Sequence, residues 1–479
     1  MAKARKKSHS HSESKSTKQV LPSKKKNRHK FFVYVVGFIA ALAGLLFGVD
    51  VGIISGARPF IAQEFHLSTA FQEMIVSGVL YGAIIGTLLS GSCSQYFGRR
   101  NTLLISSVIF ITGALFSAFA PNAVFLLCSR TFLGVAIGIA SFAAPLYLSE
   151  VAPKDARGGL ISTYQLMITI GIFVAYLIDL AFSESQSWRW MLGITCFPAI
   201  LLFIGVLALP KSPRWLMLKG LEKDALNVLE RIRPHHEIAQ EAAEIKASLK
   251  HSSSTLWQAI TSPLFLRVLT LGVLFQVIQQ FTGINVLIYY SPHIYELAGY
   301  SSHTEQMWGT ALIGLVNMLT TFFAIIFVDK FGRRPILFGG LILMGLSLFM
   351  LSFVFHHALL SEAEQLLIVA MMLTYIIGFA ASLGPIMWIL CAEIFPLKTR
   401  DVGLTGTNLS NWVANAMIGT FSLTMFNSLG TSGTFLTFAV ICVFSLIFLF
   451  FFCPETKNTS LEKIEQNLKD GKSLRHLGK

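Results

Sequence analysis

Twelve times along its 479 residues the chain gathers about twenty largely apolar residues between short polar breaks, and no other feature constrains its fold as much. A helix of about 20 apolar residues crosses the roughly 30 Å hydrocarbon core of a bilayer. In that solvent each backbone N–H and C=O must find its partner within the protein, so a crossing segment of this length is a helix. The stretches fall near 31–55, 70–92, 103–120, 124–147, 160–181 and 188–208. After a hydrophilic interval at about 210–262 they resume near 264–290, 308–328, 335–355, 365–392, 404–428 and 433–453. The charged fraction is 13%, where a soluble protein carries about a quarter. The expected fold is an all-α membrane protein with twelve transmembrane helices.

The net charge of +13 does not mark a nucleic-acid binder. Residues 1–30 hold eleven Lys and Arg against Glu13, a net of +10, and no folded basic domain accompanies them. Such a tail directly before an apolar helix reads as a cytosolic anchor beside anionic lipid. With the N-terminus inside, the breaks at 93–102, 148–159, 209–263, 329–334 and 393–403 are cytosolic, and each carries Lys or Arg. The opposite breaks hold only Arg58 and, at a span edge, Arg189, among acids such as Glu64, Glu184, Glu296 and Glu362. This bias predicts both termini in the cytosol. The six cysteines form no CxxC pair, so neither a zinc nor a disulfide framework is expected. The first apolar stretch is too long for a cleaved leader and is expected to remain as a span.

A repeat divides the chain. Phe97-Gly98-Arg99-Arg100 recurs as Phe331-Gly332-Arg333-Arg334, and Glu150, Pro153 and Arg157 recur at identical spacing as Glu393, Pro396 and Arg400. Both copies lie on the same predicted side, which implies parallel six-helix halves related by an axis along the membrane normal, with a site between them. The expected organisation is a disordered basic tail (1–30), an N-terminal bundle (31–208), cytosolic linker helices (209–263), a C-terminal bundle (264–453) and a cytosolic tail (454–479). Apolar residues at helical spacing among charges, such as Leu226, Leu229 and Ile232, predict short amphipathic helices in the linker.

The repeated charges suggest a cytosolic gate. Glu150 and Glu393 end spans within reach of Arg99, Arg100, Arg333 and Arg334, with Arg157, Asp329 and Arg400 as further members, and Arg–carboxylate forks are strong and directional. Simple membrane anchoring would need neither the acids nor the repeated spacing. Within the spans, Asp50 and Arg130 carry the charges that most need explaining, since a charge at mid-bilayer costs about 2.5–3.5 kcal/mol on insertion scales. An Asp that alternately binds a proton and pairs with Arg is a workable coupling device, against the simpler option of a static salt bridge. Asp179 reads as an interfacial residue.

Uncharged polar residues point to the solute. Gln276, Gln279 and Gln280 share one helical face, Gly283 loosens the helix beside them, and Asn285, Tyr289, Tyr290, Asn317, Trp388, Asn411, Trp412, Asn415 and Gln165 extend the set. Amides donate and accept at once, as sugar hydroxyls require, and Trp offers a face for a ring's C–H surface. Taken singly, membrane amides also serve as interhelical glue. No cluster of cations calls for an anionic substrate.

These residues carry a resemblance. Ala41-Leu42-Ala43-Gly44-Leu45-Leu46-Phe47-Gly48, Ala144-Pro145-Leu146-Tyr147-Leu148-Ser149-Glu150, Tyr164-Gln165-Leu166-Met167-Ile168-Thr169-Ile170-Gly171, Gln279-Gln280-Phe281-Thr282-Gly283 and Pro454-Glu455-Thr456-Lys457 resemble the sugar-porter branch of the major facilitator superfamily, more narrowly the bacterial galactose–proton symporters. The resemblance implies the major facilitator fold, with Gln165, Gln279, Gln280, Asn285, Asn317, Trp388 and Asn411 lining a sugar site and Phe47, Tyr289, Gly384 and Trp412 nearby. It implies that Asp50 is the proton-coupling carboxylate, with Arg130 as its partner. The expected activity is import of a hexose, galactose or glucose, by proton symport through alternating access in a bacterial inner membrane, with no cofactor beyond the proton and a monomer as the working unit. A uniporter, a sugar-sensing receptor and an apolar efflux pump are the alternatives, and no catalytic constellation suggests an enzyme. Two departures stand out. Lys211, in Pro210-Lys211-Ser212-Pro213-Arg214, occupies a position where the family commonly has an acid, and Gln95 stands where many members carry Asp.

Overall fold

The structure is a computed structural model that describes residues 23–153, 157–250, 260–357, 361–396, 399–457, 459 and 461–478; the side chains of 23–31, 157, 158, 161, 235, 247–250, 329, 461 and 462 fall outside that description. Eleven of its helices are long and apolar enough to cross a membrane. One of them, α17 (Arg400–Phe452), breaks at Gly430, where φ is +71°, so the described residues make twelve passes.

The first half comprises α1 (Ser23–Glu64), α2 (Thr69–Phe97), α3 (Arg99–Ala118), α4 (Ala123–Val151), α5 (Arg157–Phe182) and a sixth pass split into α6 (Trp188–Ile194) and α7 (Cys196–Ala208). Three short helices follow, α8 (Pro213–Leu218), α9 (Glu222–Ile232) and α10 (His235–Lys250). The second half holds a seventh pass made of α11 (Pro263–Phe281) and α12 (Ile284–Leu297), then α13 (His303–Phe331), α14 (Arg333–Val354), a tenth pass made of α15 (Glu362–Ala381) and α16 (Leu383–Ile394), and the two arms of α17. A last helix, α18 (Leu461–Lys469), buries Ile464 and Leu468.

Two boundaries and the surroundings of one acid differ from expectation. Helix α1 starts at Ser23, so residues 23–30, expected in a disordered tail, have helical backbone, while 1–22 lie outside the described residues. The same helix runs on to Glu64, which places Arg58 inside a span, 8% exposed, rather than in a loop. Asp179, read from the sequence as interfacial, is wholly buried against other helices.

Small residues set the packing. On α1, Gly44, Gly48 and Gly52 lie against α5, and a Cβ on Gly48 would fall 1.9 Å from the Ile168 carbonyl oxygen. On α2, a Cβ on Gly82 would fall equally close to the Thr131 carbonyl oxygen of α4. Lipid supplies no hydrophobic drive between helices, so close backbone approach and dispersion hold them together. The halves meet along α2 with α17 and along α5 with α13.

Candidate substrate and proton site

An even number of passes leaves both chain ends on one side of the bundle, the terminal end; the opposite side is called the far end. At the terminal end the two copies of the Gly-Arg-Arg repeat have the same backbone. Gly98 (φ +82°, ψ 157°) and Gly332 (φ +94°, ψ 165°) join consecutive helices in a conformation that only glycine adopts without strain. Each first arginine then meets the span-ending acid of its own half, Arg99 to Glu150 at 2.7 Å and Arg333 to Glu393 at 2.8 Å. The second arginines reach carbonyls instead, Arg100 those of Val206 and Leu207, and Arg334 that of Phe450. The repeat has a third partner that motif matching did not reveal. Ser212 donates to Glu150 and Thr456 to Glu393, both at 2.5 Å.

In the conformation described these two forks bind within each half. The side chains of Arg157 and Asp329 lie outside the described residues, and Arg400 opens α17. Between the halves at this end is a cleft of about 150 Å³, lined by Ser94, Gln95, Arg99 and Phe142 on one side and by Asp401 and Thr405 on the other.

The far end is shut. Tyr81 and Thr420 share a hydrogen bond of 2.6 Å, Thr424 donates its N–H and its hydroxyl to Glu73, and Asn427 reaches Thr69. Arg58 stacks over Tyr290 at 5.5 Å, Phe60 meets His303 edge-on, and Tyr176 donates to the Ile288 carbonyl. Nothing in the sequence marked Glu73 or Thr424, because a lone acid at a helix start and a lone threonine carry no spacing signal.

Asp50 and Arg130 lie between these ends, 2% and 1% exposed. Arg130 Nη2 is 3.5 Å from Asp50 Oδ2, an ion pair without a hydrogen bond, while Arg130 Nε donates to the Ile75 carbonyl. The pair is therefore poised rather than locked.

The amides gather in the second half. The seventh pass breaks after Phe281, and Gly283, at φ +95°, starts α12. Gln279 donates to the carbonyls of Leu383 and Gly384, at the break of the tenth pass, at 2.8 and 3.0 Å. Asn411 donates to Gln276 at 2.7 Å and to Gln279 at 2.8 Å, Gln280 donates to Gln279, and Asn285 donates to Gln280. Tyr289 donates to Asn415. Phe47, from the first half, tilts against Trp412 with ring centroids 5.0 Å apart, and the Trp412 indole N–H is buried without a partner. Asn317 is buried, and Gln165 and Trp388 are partly exposed, without a described bond to this network. A broken helix pair with converging amides and an unpaired donor is equipped to exchange its internal bonds for those of a polyhydroxylated solute. Among the described residues no group of three or more His, Cys, Asp or Glu is placed to hold a metal.

The profile of the family described as "Sugar (and other) transporter" matches residues 36–468. The galactose-proton symporter of Escherichia coli (strain K12) is 49% identical over 460 residues, covering 95% of this chain and 99% of that protein. The arabinose-proton symporter of the same strain is 43% identical over 447 residues, 92% of this chain and 95% of that one. Among solved structures, the partially occluded inward-open xylose transporter XylE from E. coli superposes with a TM-score of 0.79 at 29% identity, covering 90% of this chain and all of that chain. Its inward-open form gives 0.78 at 30% identity, with 91% and 99% covered. With its twelve passes, its repeated forks and its paired broken helices, the chain belongs to the Sugar (and other) transporter family, as a sugar porter of the major facilitator superfamily.

Proposed function

We propose that the protein imports a hexose, galactose or glucose, together with a proton. In this reading the halves rock about the central amides, Asp50 takes the proton, and Gln165, Gln279, Gln280, Asn285, Asn317, Trp388 and Asn411 hold the sugar. The terminal end faces the cytosol, as the Lys and Arg of its loops indicate, so the conformation described is inward-facing. The bacterial inner membrane is its site, and a single chain contains every part. The observation that carries the reading is a sealed carboxylate, Asp50, set 3.5 Å from its arginine, in a bundle that also holds a network of neutral amides. Relatives named for sugar–proton symport support it.

Removing a buried charge by protonation is less costly than moving it bare through the bundle, so proton binding and solute binding become linked through the same closed state. In proteoliposomes loaded with buffer, adding galactose outside is expected to raise the external pH, in proportion to labelled sugar taken up. Uptake without that alkalinisation leaves a uniporter, and no uptake of either hexose removes the sugar assignment.

A further inference from the structure

Asp179 has no part in the cycle above, yet its position is demanding. It is fully buried on α5; Oδ2 accepts the Gly56 N–H of α1 at 3.1 Å, and Oδ1 has no hydrogen-bond partner. The helices are so close there that a Cβ on Gly56 would fall 2.4 Å from the Asp179 carboxyl carbon. The charges of the surrounding elements are engaged elsewhere. On α1, Arg58 bonds Gln72 and stacks over Tyr290; on α4, Arg130 lies beside Asp50; at the start of α6, Arg189 pairs with Glu64. The first turn of α13 brings His303, set against Phe60, and Glu305. On α5 the nearest titratable group is the Tyr176 hydroxyl, and α12 carries the hydroxyls of Tyr289, Tyr290 and Tyr295 together with His293, which is bonded to Glu296.

An ionised carboxylate in this place would lack both a counter-charge and a full set of donors, whereas a bound proton removes the charge. Tyr176 lies one turn before Asp179 on the same face, and its hydroxyl donates to the Ile288 carbonyl of α12 at 2.9 Å, across the boundary between the halves. Parting the halves at the far end must break that tie and bring water to the carboxyl.

We infer that Asp179 is a proton-binding site linked to closure of the far end. It is ionised while that end is open and takes one proton from far-side water onto a carboxylate oxygen as the end closes. In the conformation described, open at the terminal end, the carboxyl is completely enclosed, so its proton goes back to the side it came from when the far end reopens. It is a gating proton, not cargo, and adds nothing to the proton-to-sugar ratio. The inference rests on alternating access from the proposed function, but not on the identity of the sugar or on symport.

The direction of the pH effect follows by linkage. The closed state binds one proton more than the open state, so closure is favoured in acid. Above the ordinary aspartate range near 4, the closed-to-open ratio falls by up to tenfold per pH unit for as long as the closed form stays protonated. The test uses the full chain in nanodiscs, with dyes coupled to unnatural amino acids at Ser185 and Ser302, exposed turns at the far ends of opposite halves. Single-molecule distances give the closed-to-open ratio between about pH 5 and pH 8. Asp179→Asn is expected to reduce the slope by one proton, a loss of about tenfold per pH unit, while Asp179→Glu keeps it. If the Asn variant does not reach the membrane, Asp179→Ser is expected to show the same loss. A neutral variant with the wild-type slope, or a wild type whose far end ignores pH, overturns the inference. A single distance under all conditions, sugar included, would instead sink alternating access itself.

Discussion

Glu73 on α2 holds Thr424 on α17 with both carboxylate oxygens, Oε1 accepting the backbone N–H at 2.6 Å and Oε2 the hydroxyl at 2.8 Å. The carboxylate is 3% exposed and joins the two halves at the far end, one turn from the Tyr81–Thr420 bond on the same helix of the second half. Hydrogen bonds to a charged group contribute about 1.5–3 kcal/mol each. Replacing Glu73 by Ala is therefore expected to raise the far-open population at least tenfold. Alkylation of a cysteine placed at Ser77, which is fully buried against Gly419 of the other half in the closed form, reads that population, and an unchanged labelling rate would remove Glu73 from the closing contacts.

Asp50→Asn keeps the shape of the side chain and removes the proton site. Exchange of labelled for unlabelled sugar should persist within about threefold, since the amide network is untouched. Accumulation should vanish. One proton falling through 100 mV supplies about 2.3 kcal/mol, enough for a sugar gradient of about fifty-fold, and the variant should equilibrate at a ratio of about one. Uphill uptake by this variant would show that the coupling proton sits elsewhere.

Gln279 bonds at once to two carbonyls in the break of the tenth pass and to Asn411. Gln279→Ala leaves those buried groups short of partners, at about 1–3 kcal/mol per unsatisfied group. Binding of galactose and glucose by titration calorimetry should weaken by about ten- to a hundredfold. Trp412→Phe removes a donor that is unpaired in the empty protein, so it should weaken the sugar complex while leaving the empty protein's melting temperature nearly unchanged.

Much of this molecule is written in short-range pattern. Twenty-residue apolar runs fix helices because the bilayer offers the backbone no other partner, and the repeated Gly-Arg-Arg and Glu spacings carry the forks Arg99–Glu150 and Arg333–Glu393. The amides Gln276, Gln279, Gln280 and Asn285 were legible for the same reason, since they lie within ten residues of one another around Gly283. What escaped is held by pairs remote in sequence. Glu73 and Thr424 are 351 residues apart and Asp179 and Gly56 are 123 apart, and no local spacing encodes either contact. Arg58 was misplaced, and the burial of Asp179 escaped, because a polar residue near a span's end looks the same in sequence whether it faces water or another helix. In the sequence, Glu150 and Glu393 stand within reach of four arginines, Arg99, Arg100, Arg333 and Arg334. Motif position alone could not show that each acid folds back on the arginine of its own bundle.

Lys211 stands in the first half where Glu455 stands in the second. Each follows a proline and precedes the hydroxyl residue that bonds the span-ending acid, Ser212 for Glu150 and Thr456 for Glu393. Glu455 accepts the backbone N–H groups of Arg333 and Arg334, at 3.1 and 3.0 Å, and so satisfies the first amides of α14 and faces the positive end of that helix. Helix α3 begins with Arg99 and Arg100 after the same glycine conformation, and Lys211 lines a recess with Gly98, Arg99 and Arg100. There a lysine stands beside the positive helix end, and among the described residues the helix start has no side-chain cap bond. Lys211→Glu should provide the missing cap and stabilise the first half by about 0.5–2 kcal/mol, while Glu455→Gln should destabilise the second by a similar amount. Lys211→Gln, which removes the unfavourable charge but adds only a neutral acceptor, should fall between wild type and Lys211→Glu. Thermal melting of the purified protein in detergent ranks the four. If Lys211→Glu melts at or below wild type while Glu455→Gln melts lower, the two helix starts are not equivalent, and the symmetry of the halves at the terminal end stops at the forks.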